Sequence, residues 1–179
     1  INYAIKYKVK YFINTDTFYE KYKDSYSISK KHFKELLFFY RNRINIINLK
    51  IAHMYGPNDN DIKFLPSLLN QFESNIKNIE ILTPYENKDF IFIDDVVDCY
   101  LKIIQNISIF KKKYYDLDIG RNKLVTLKKF VITSKKIYNE SKKEIKTVIT
   151  FKKNTNKRVK KTKPSLKHEI LKKIKWFPK

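Results

Sequence analysis

The sequence predicts an α/β fold with parallel strands, followed by smaller carboxyl-terminal elements. Strand-like and helix-like segments alternate along most of the chain, the order that builds a parallel sheet with crossover helices. The 179 residues are 42% hydrophobic and 15% aromatic, enough apolar material for one core of ordinary size. No internal repeat interrupts the alternation.

The elements follow in order. Residues 7–14, YKVKYFIN, are β-branched and aromatic with partial alternation, a strand that ends at Asn14-Thr15-Asp16-Thr17. The chain opens without Met, directly in this strand-like stretch, as if partway through a domain. Asp24 and Ser25 are suited to cap a helix whose apolar stripe includes Phe33, Leu37 and Tyr40 and which fades at Arg41-Asn42-Arg43. Residues 44–52, INIINLKIA, read as a second buried strand running into His53-Met54-Tyr55-Gly56-Pro57, where Gly and Pro signal a turn. A helix over 64–72 follows, with Pro66 in its first turn. A third strand spans 79–82, and a loop through Pro84 leads to Asp89-Phe90-Ile91-Phe92-Ile93. Asp94 or Asp95 then caps a helix over 96–106. Residues 114–119 read as a strand and 127–138 as a helix, while 152–163 is the most basic and least periodic stretch, expected to be a mobile loop.

Composition narrows the function classes. Net charge is +21, but 35 of the 39 basic residues are Lys against a background rich in Ile, Asn and Tyr. Compositional drift raises these four together, whereas a dedicated nucleic-acid binder recruits Arg for bidentate contacts. Drift is therefore favoured over a selected polyanion site, and nucleic acid is not the expected partner. Cys99 is the sole cysteine, so an intrachain disulfide, a CxxC pair and a cysteine-based zinc site are excluded, and no metal ligand set is expected. No apolar run approaches the roughly 20 residues that span a bilayer, and the amino terminus lacks a signal-peptide pattern. A cytoplasmic protein without a membrane span is the expectation. Gly56 and Gly120 are the only glycines, so neither GxGxxG nor GxxxxGK[ST] occurs.

In YSISK, Tyr26 and Lys30 are spaced i, i+4 and share one face of a helix. A phenol of pKa about 10 is a poor proton donor or acceptor at neutral pH, but a nearby ammonium favours the phenolate. The tyrosine then becomes usable as a general acid or base. In a chain this rich in Tyr and Lys the pair alone is also what an exposed helix face would give.

The order of neighbouring motifs is more specific. FINTDT, then YSISKKHF, then NLKIAHMYGPND, then KDFIFIDDVVDCYL resembles the extended short-chain dehydrogenase/reductases of the epimerase/dehydratase group, most of all the CDP-sugar 4-ketoreductase branch. The resemblance covers about residues 7–130. It implies the carboxyl-terminal portion of a Rossmann-like, doubly wound parallel sheet plus a small α/β substrate-binding subdomain. Residues 1–57 would form the rest of the Rossmann core, and 58–179 mainly the substrate-binding region, with 89–110 returning to the core.

It also implies roles. Tyr26 would exchange a proton with the sugar C4 oxygen, Lys30 would lower its pKa and bind the nicotinamide ribose, and Thr15, with Thr17 as the alternative, would hydrogen-bond the reacting oxygen. Both threonines equally suit capping at a strand end. His53 would stand at the wall between nicotinamide and sugar, though a packed, hydrogen-bonded histidine is the favoured reading. Phe64 would cover the nucleotide base or belong to the core. Lys88 would meet the substrate pyrophosphate without the bidentate fork of an Arg. The cofactor would be NADP or NAD, the substrate a nucleotide sugar, and O-antigen sugar synthesis the setting.

Dehydratases of this group carry Asp-Glu after the Thr; here the pair is Asp16-Thr17, which favours reduction or 4-epimerisation over elimination. The glycine-rich cofactor unit of the family has no counterpart in the sequence. The expectation is therefore activity conditional on a separate amino-terminal Rossmann piece, with a homodimer as a further possibility. The alternative outside enzymology is a basic remnant that binds polyanions through Lys152, Lys153, Lys157, Arg158, Lys160, Lys161 and Lys163.

Overall fold

The computed structural model describes residues 1–142, 144–152 and 163–179. The chain runs α1 (Asn2–Lys6), β1 (Tyr11–Thr17), α2 (Ser25–Phe39), β2 (Asn45–Ile51), β3 (His53–Tyr55), α3 (Phe64–Glu73) and β4 (Asn78–Ile81). It continues through β5 (Asn87–Phe92), α4 (Ile93–Gln105), β6 (Tyr114–Ile119), β7 (Leu124–Thr126), α5 (Leu127–Ser141), β8 (Val148–Phe151) and α6 (Glu169–Lys173). Two compact units result: Ile1–Met54 with Ile91–Asn122 and Ser165–Lys179, and Tyr55–Phe90 with Lys123–Pro164. Among the described residues no helix is long and apolar enough to cross a membrane.

The first unit is a parallel sheet in the order β1-β2-β6. Because side chains alternate along a strand, the odd- and even-numbered residues separate onto two faces. Odd positions Ile47, Leu49, Ile51, Leu117 and Ile119 are buried against Val96, Cys99 and Ile103 of α4 and against Leu171, Ile174 and Trp176. Even positions Phe12, Ile46 and Tyr114 lie with Phe33, Leu37 and Tyr40 of the segment that begins in α2. Helices thus cover both faces, the doubly wound arrangement that the family resemblance implies. Burial on both faces also accounts for the pattern of β2, in which Ile46, Ile47, Asn48, Leu49 and Ile51 are all buried.

The amino terminus departs from the expected strand. Ile1, Ala4 and Ile5 have the spacing of one helix face and pack beside Leu37 and Ile46, so Asn2–Lys6 is a helix. Lys8 then adopts a left-handed φ of 54°, and the strand starts only at Tyr11. It also runs on through Thr17, so Thr15 and Thr17 belong to the strand itself.

α2 begins as expected. The Asp24 carboxylate accepts from Ser27 N at 2.7 Å, while Ser27 Oγ accepts from Asp24 N at 3.1 Å, a reciprocal capping box. At α4 the cap expectation fails. The helix starts at Ile93 with Phe92 in the cap position and no side-chain cap, which places Asp94 and Asp95 inside the first turn. There they oppose the positive end of the helix dipole.

The second unit pairs β4 with β8 in parallel and β5 with β7 antiparallel. Its core is Leu68 and Phe72 of α3, Ile79 and Ile81 of β4, Leu127 and Val131 of α5, and Ile145. Phe90 and Phe130 stack with centroids 3.9 Å apart. β7 and β8, of three and four residues, went unanticipated, as did α6. Of the basic set, Lys153, Lys157, Arg158, Lys160 and Lys161, together with most of the loop expected to be mobile, lie outside the described residues; Lys152 is ion-paired with Glu80 at 2.6 Å.

Candidate active site

The capping box that starts α2 fixes where its first turns point. Tyr26 is the second residue of the helix and half-exposed. Lys30, one turn on, holds its Nζ 5.7 Å from the Tyr26 ring centroid, and that Nζ donates to the Thr15 carbonyl at 2.9 Å. Thr15 is an exposed position near the carboxyl end of β1, flanked by buried Asn14 and Asp16. The fold therefore gathers Thr15, Tyr26 and Lys30 at one end of the sheet.

The Thr15 hydroxyl has a partner that sequence reasoning missed. It shares a hydrogen bond of 2.6 Å with the Tyr100 hydroxyl, which α4 brings from 85 residues away. Burial raises the Tyr100 phenol above its ordinary pKa, partly offset by the Thr15 hydrogen bond. Tyr100 is thus neutral at physiological pH and can orient the threonine hydroxyl without charge.

Thr17 is differently occupied. It is buried, and its Oγ1 accepts from Tyr19 N at 3.2 Å, a local hydroxyl turn. His53 is half-buried with its ring edge-on to Tyr19, centroids 5.5 Å apart. Phe64 and Lys88 belong to the second unit. Phe64 opens α3 and contacts the Phe130 ring at 6.4 Å; Lys88 lies on β5 opposite Val125 and pairs with Glu86 at 3.0 Å.

Beneath α2 the even-numbered positions near the strand ends are polar, and the register aligns them. Asn14, Asn48 and Asp116 form one row, Asp16, Lys50 and Asp118 the next. Asn14 Nδ2 donates to Asn48 Oδ1 at 2.6 Å, and Asn48 Nδ2 donates to Asp116 at 2.8 Å and to Asp16 at 3.2 Å. From α2, Lys31 grips both Asp16 oxygens at 3.0 and 3.1 Å and also donates to the Thr17 carbonyl. Lys34 meets Asp116 at 2.6 Å. Burial works to lower the Lys50 ammonium, but the Asp118 hydrogen bond and the charges of Asp116, Asp118 and Asp16 outweigh it and hold its pKa above the ordinary value. Burial likewise works to raise Asp116, and bonds from Lys34 and Asn48 with the Lys50 charge bring it below the ordinary range.

The signal for this network was present as polar residues at every second position inside apolar strands. Asp16 matters most here. Its carboxylate is buried, ion-paired and bonded to Thr17 N at 2.7 Å, on the opposite face from its neighbour Thr15.

Tyr26 and Lys30 bring a phenol and an ammonium to the first turns of α2, groups of the chemical kind that can hydrogen-bond a nicotinamide ribose. With two glycines in the chain, neither in a left-handed conformation, there is no glycine-rich turn to receive a pyrophosphate.

Comparison with known proteins gives the same picture. Residues 8–120 match the NAD dependent epimerase/dehydratase family. The CDP-abequose synthase of Salmonella typhimurium strain LT2 is 35% identical over 141 residues, covering 74% of this chain and 46% of that protein. The enzyme of the same name from Salmonella muenchen is 37% identical over 145 residues, covering 75% and 48%. The chain thus spans a little under half the length of these curated relatives. Among solved structures, MoeE5 in complex with UDP-glucuronic acid and NAD superposes with a TM-score of 0.76 at 12% identity, over 99% of this chain and 62% of that one. The UDP-glucose 4-epimerase of Thermotoga maritima, solved with UDP-glucose, gives 0.72 at 21%, over 99% and 61%. These likenesses establish the Rossmann-like α/β fold, and the sequence match extends through every motif from FINTDT to DFIFIDDVV. The chain belongs to the NAD-dependent epimerase/dehydratase family.

Proposed function

We propose that this chain supplies the tyrosine-lysine half of an NAD(P)-dependent nucleotide-sugar 4-ketoreductase of the CDP-abequose synthase kind, whose glycine-rich turn lies outside these residues. The observation that carries the reading is the convergence of Thr15, Tyr26 and Lys30, with Lys30 bonded to the Thr15 carbonyl. The likeness to two CDP-abequose synthases supports the choice of branch.

In this reading Tyr26 delivers a proton to the sugar C4 oxygen as the carbonyl is reduced. Thr15 Oγ1, oriented by Tyr100, donates a second hydrogen bond to that oxygen and disperses the developing charge. Lys30 stabilises the tyrosinate left behind and leaves part of its donor capacity for the ribose. A nicotinamide cofactor, when bound, supplies the hydride. His53 lines the nicotinamide–sugar wall, Phe64 covers the base, and Lys88 meets the pyrophosphate in the same reading, with Thr17 kept as support for the strand end.

Reduction is favoured over dehydration on physical grounds. Elimination of water needs an acid and a base of its own, and the carboxylate nearest Thr15 in sequence, Asp16, is buried under Lys31 on the opposite face. Thr17 cannot replace a glutamate.

The test is NADPH absorbance on mixing the chain, a glycine-rich Rossmann partner and a CDP-4-keto sugar. NADPH is expected to be consumed, and Tyr26→Phe to slow consumption by about 10²–10⁴-fold. With a CDP-4-hydroxy sugar and NAD in place of the ketone and NADPH, interconversion of C4 stereoisomers without net cofactor reduction would assign a 4-epimerase instead, and no change in either assay would overturn both.

A further inference from the structure

The carboxyl-terminal segment closes one edge of the first unit's sheet. β6 is the last strand in the order β1-β2-β6, and an edge strand leaves backbone groups in need of partners. Asp118 N donates to Nε2 of His168 at 2.9 Å. In return, Leu166 N donates to Oδ2 of Asp118 at 2.9 Å. Just past the strand, Asn122 N donates to Ser165 Oγ at 2.8 Å. Residues 165–168 therefore lie along β6, bonded at three points.

The segment then folds over α4. Leu171, Ile174 and Trp176 are buried in its core cluster. Trp176 Nε1 donates to the Asp95 carbonyl at 2.9 Å, and Lys102 Nζ donates to the Lys175 carbonyl at 2.9 Å.

Among these contacts the His168 bond alone depends on a group that titrates near neutrality. An imidazole nitrogen accepts a hydrogen bond only while it carries no proton, so the Asp118 amide selects the neutral ring with its proton on Nδ1. A proton on Nε2 would set donor against donor.

We propose that His168 is a pH-sensitive latch: as the neutral ring it holds residues 165–179 against β6 and α4, and protonation releases them.

The charged surroundings do not rescue the protonated ring. Of the groups facing His168, Asp118 is the nearest acid, but one of its oxygens is ion-paired with Lys50 of β2 at 2.5 Å and the other accepts from Leu166 N. Asp116 is engaged by Lys34 and Asn48, and Glu169, next in sequence, is paired with Lys172. Burial works first to lower the His168 pKa, Asp118 and Asp116 to raise it and Lys50 to lower it, and the result lies below the ordinary 6.5. A folded-state pKa below the unfolded one makes the stabilisation complete above the unfolded value and lost as pH falls through the folded value. Release therefore belongs to mild acid, and it stands independently of the proposed reductase activity.

Trp176 is the only tryptophan in the chain, so its emission reports docking of this segment directly. In the full chain, lowering pH from about 8 to about 5 is expected to shift that emission reversibly to the red. His168→Gln, whose side-chain carbonyl accepts from the same amide without titrating, is expected to keep the blue emission throughout, and His32→Gln to leave the step unchanged. A red emission already at the alkaline end, no step in the wild-type chain, or a step that survives His168→Gln would each overturn the latch. Independently of any variant, nitrogen NMR should find His168 as the Nδ1–H tautomer, with exchange protection of the Asp118 amide lost as the ring protonates. The opposite tautomer, or protection indifferent to the titration, would also overturn it.

Discussion

Under α4 the sheet of the first unit presents Ile13, Ile47, Leu49, Ile51, Leu117 and Ile119, whereas under α2 the same three strands change from Phe12, Ile46 and Tyr114 to Asn14, Asp16, Asn48, Lys50, Asp116 and Asp118. The two faces hold their helices by different means. Apolar packing follows the area removed from water and is only weakly directional, so a helix on such a face can adjust its position at small cost. Ion pairs at 2.6–3.1 Å fix particular atoms to one another. Because desolvation consumes most of the Coulomb gain of a buried pair, the polar face contributes less to net stability than to placing α2. The placed residues are Tyr26 and Lys30, next to Thr15.

The largest effect expected from breaking this contrast is on the polar face. Lys31→Met leaves the Asp16 carboxylate buried without its cation and should cost about 3–5 kcal/mol in urea unfolding; a loss below about 1 kcal/mol would mean that water reaches Asp16. On the apolar face, Ile103→Ala removes a fully buried side chain and should cost about 2–4 kcal/mol in the same measurement. That loss should leave Lys30 bonded to Thr15, which a nitrogen-proton spectrum of the lysine ammonium would report. Asp24→Ala removes the α2 cap and should cost about 1 kcal/mol, largely recovered in Asp24→Ser, with faster amide exchange confined to the first turn around Tyr26.

The contrast also explains what could be read from sequence. The α2 start was legible because Asp24 and Ser27 are local to it, and the order of strands and helices was legible from periodicity. Thr15, Tyr26 and Lys30 were legible through four motifs in one order. The polar rows were not, since Asn14 and Asp16 look like a strand ending in a turn until Asn48 and Asp116 are known to lie beside them. Tyr100 and His168 were missed for the same reason, each acting on a strand 85 or 50 residues away. The aspartates at α4 misled in the other direction. The helix begins at Ile93 with Phe92 in the cap position, two residues ahead of the first aspartate side chain that could have capped it.

The strip of chain at Ser165–His168 has one more consequence, which concerns growth. Among the described residues β1 pairs with β2 alone, while the far side of β6 is already occupied by the chain's own backbone and His168 ring. The sheet behaves like a polymer with one terminated end and one living end: it can be extended at β1, beside Thr15, and residues 165–168 block the same extension at β6.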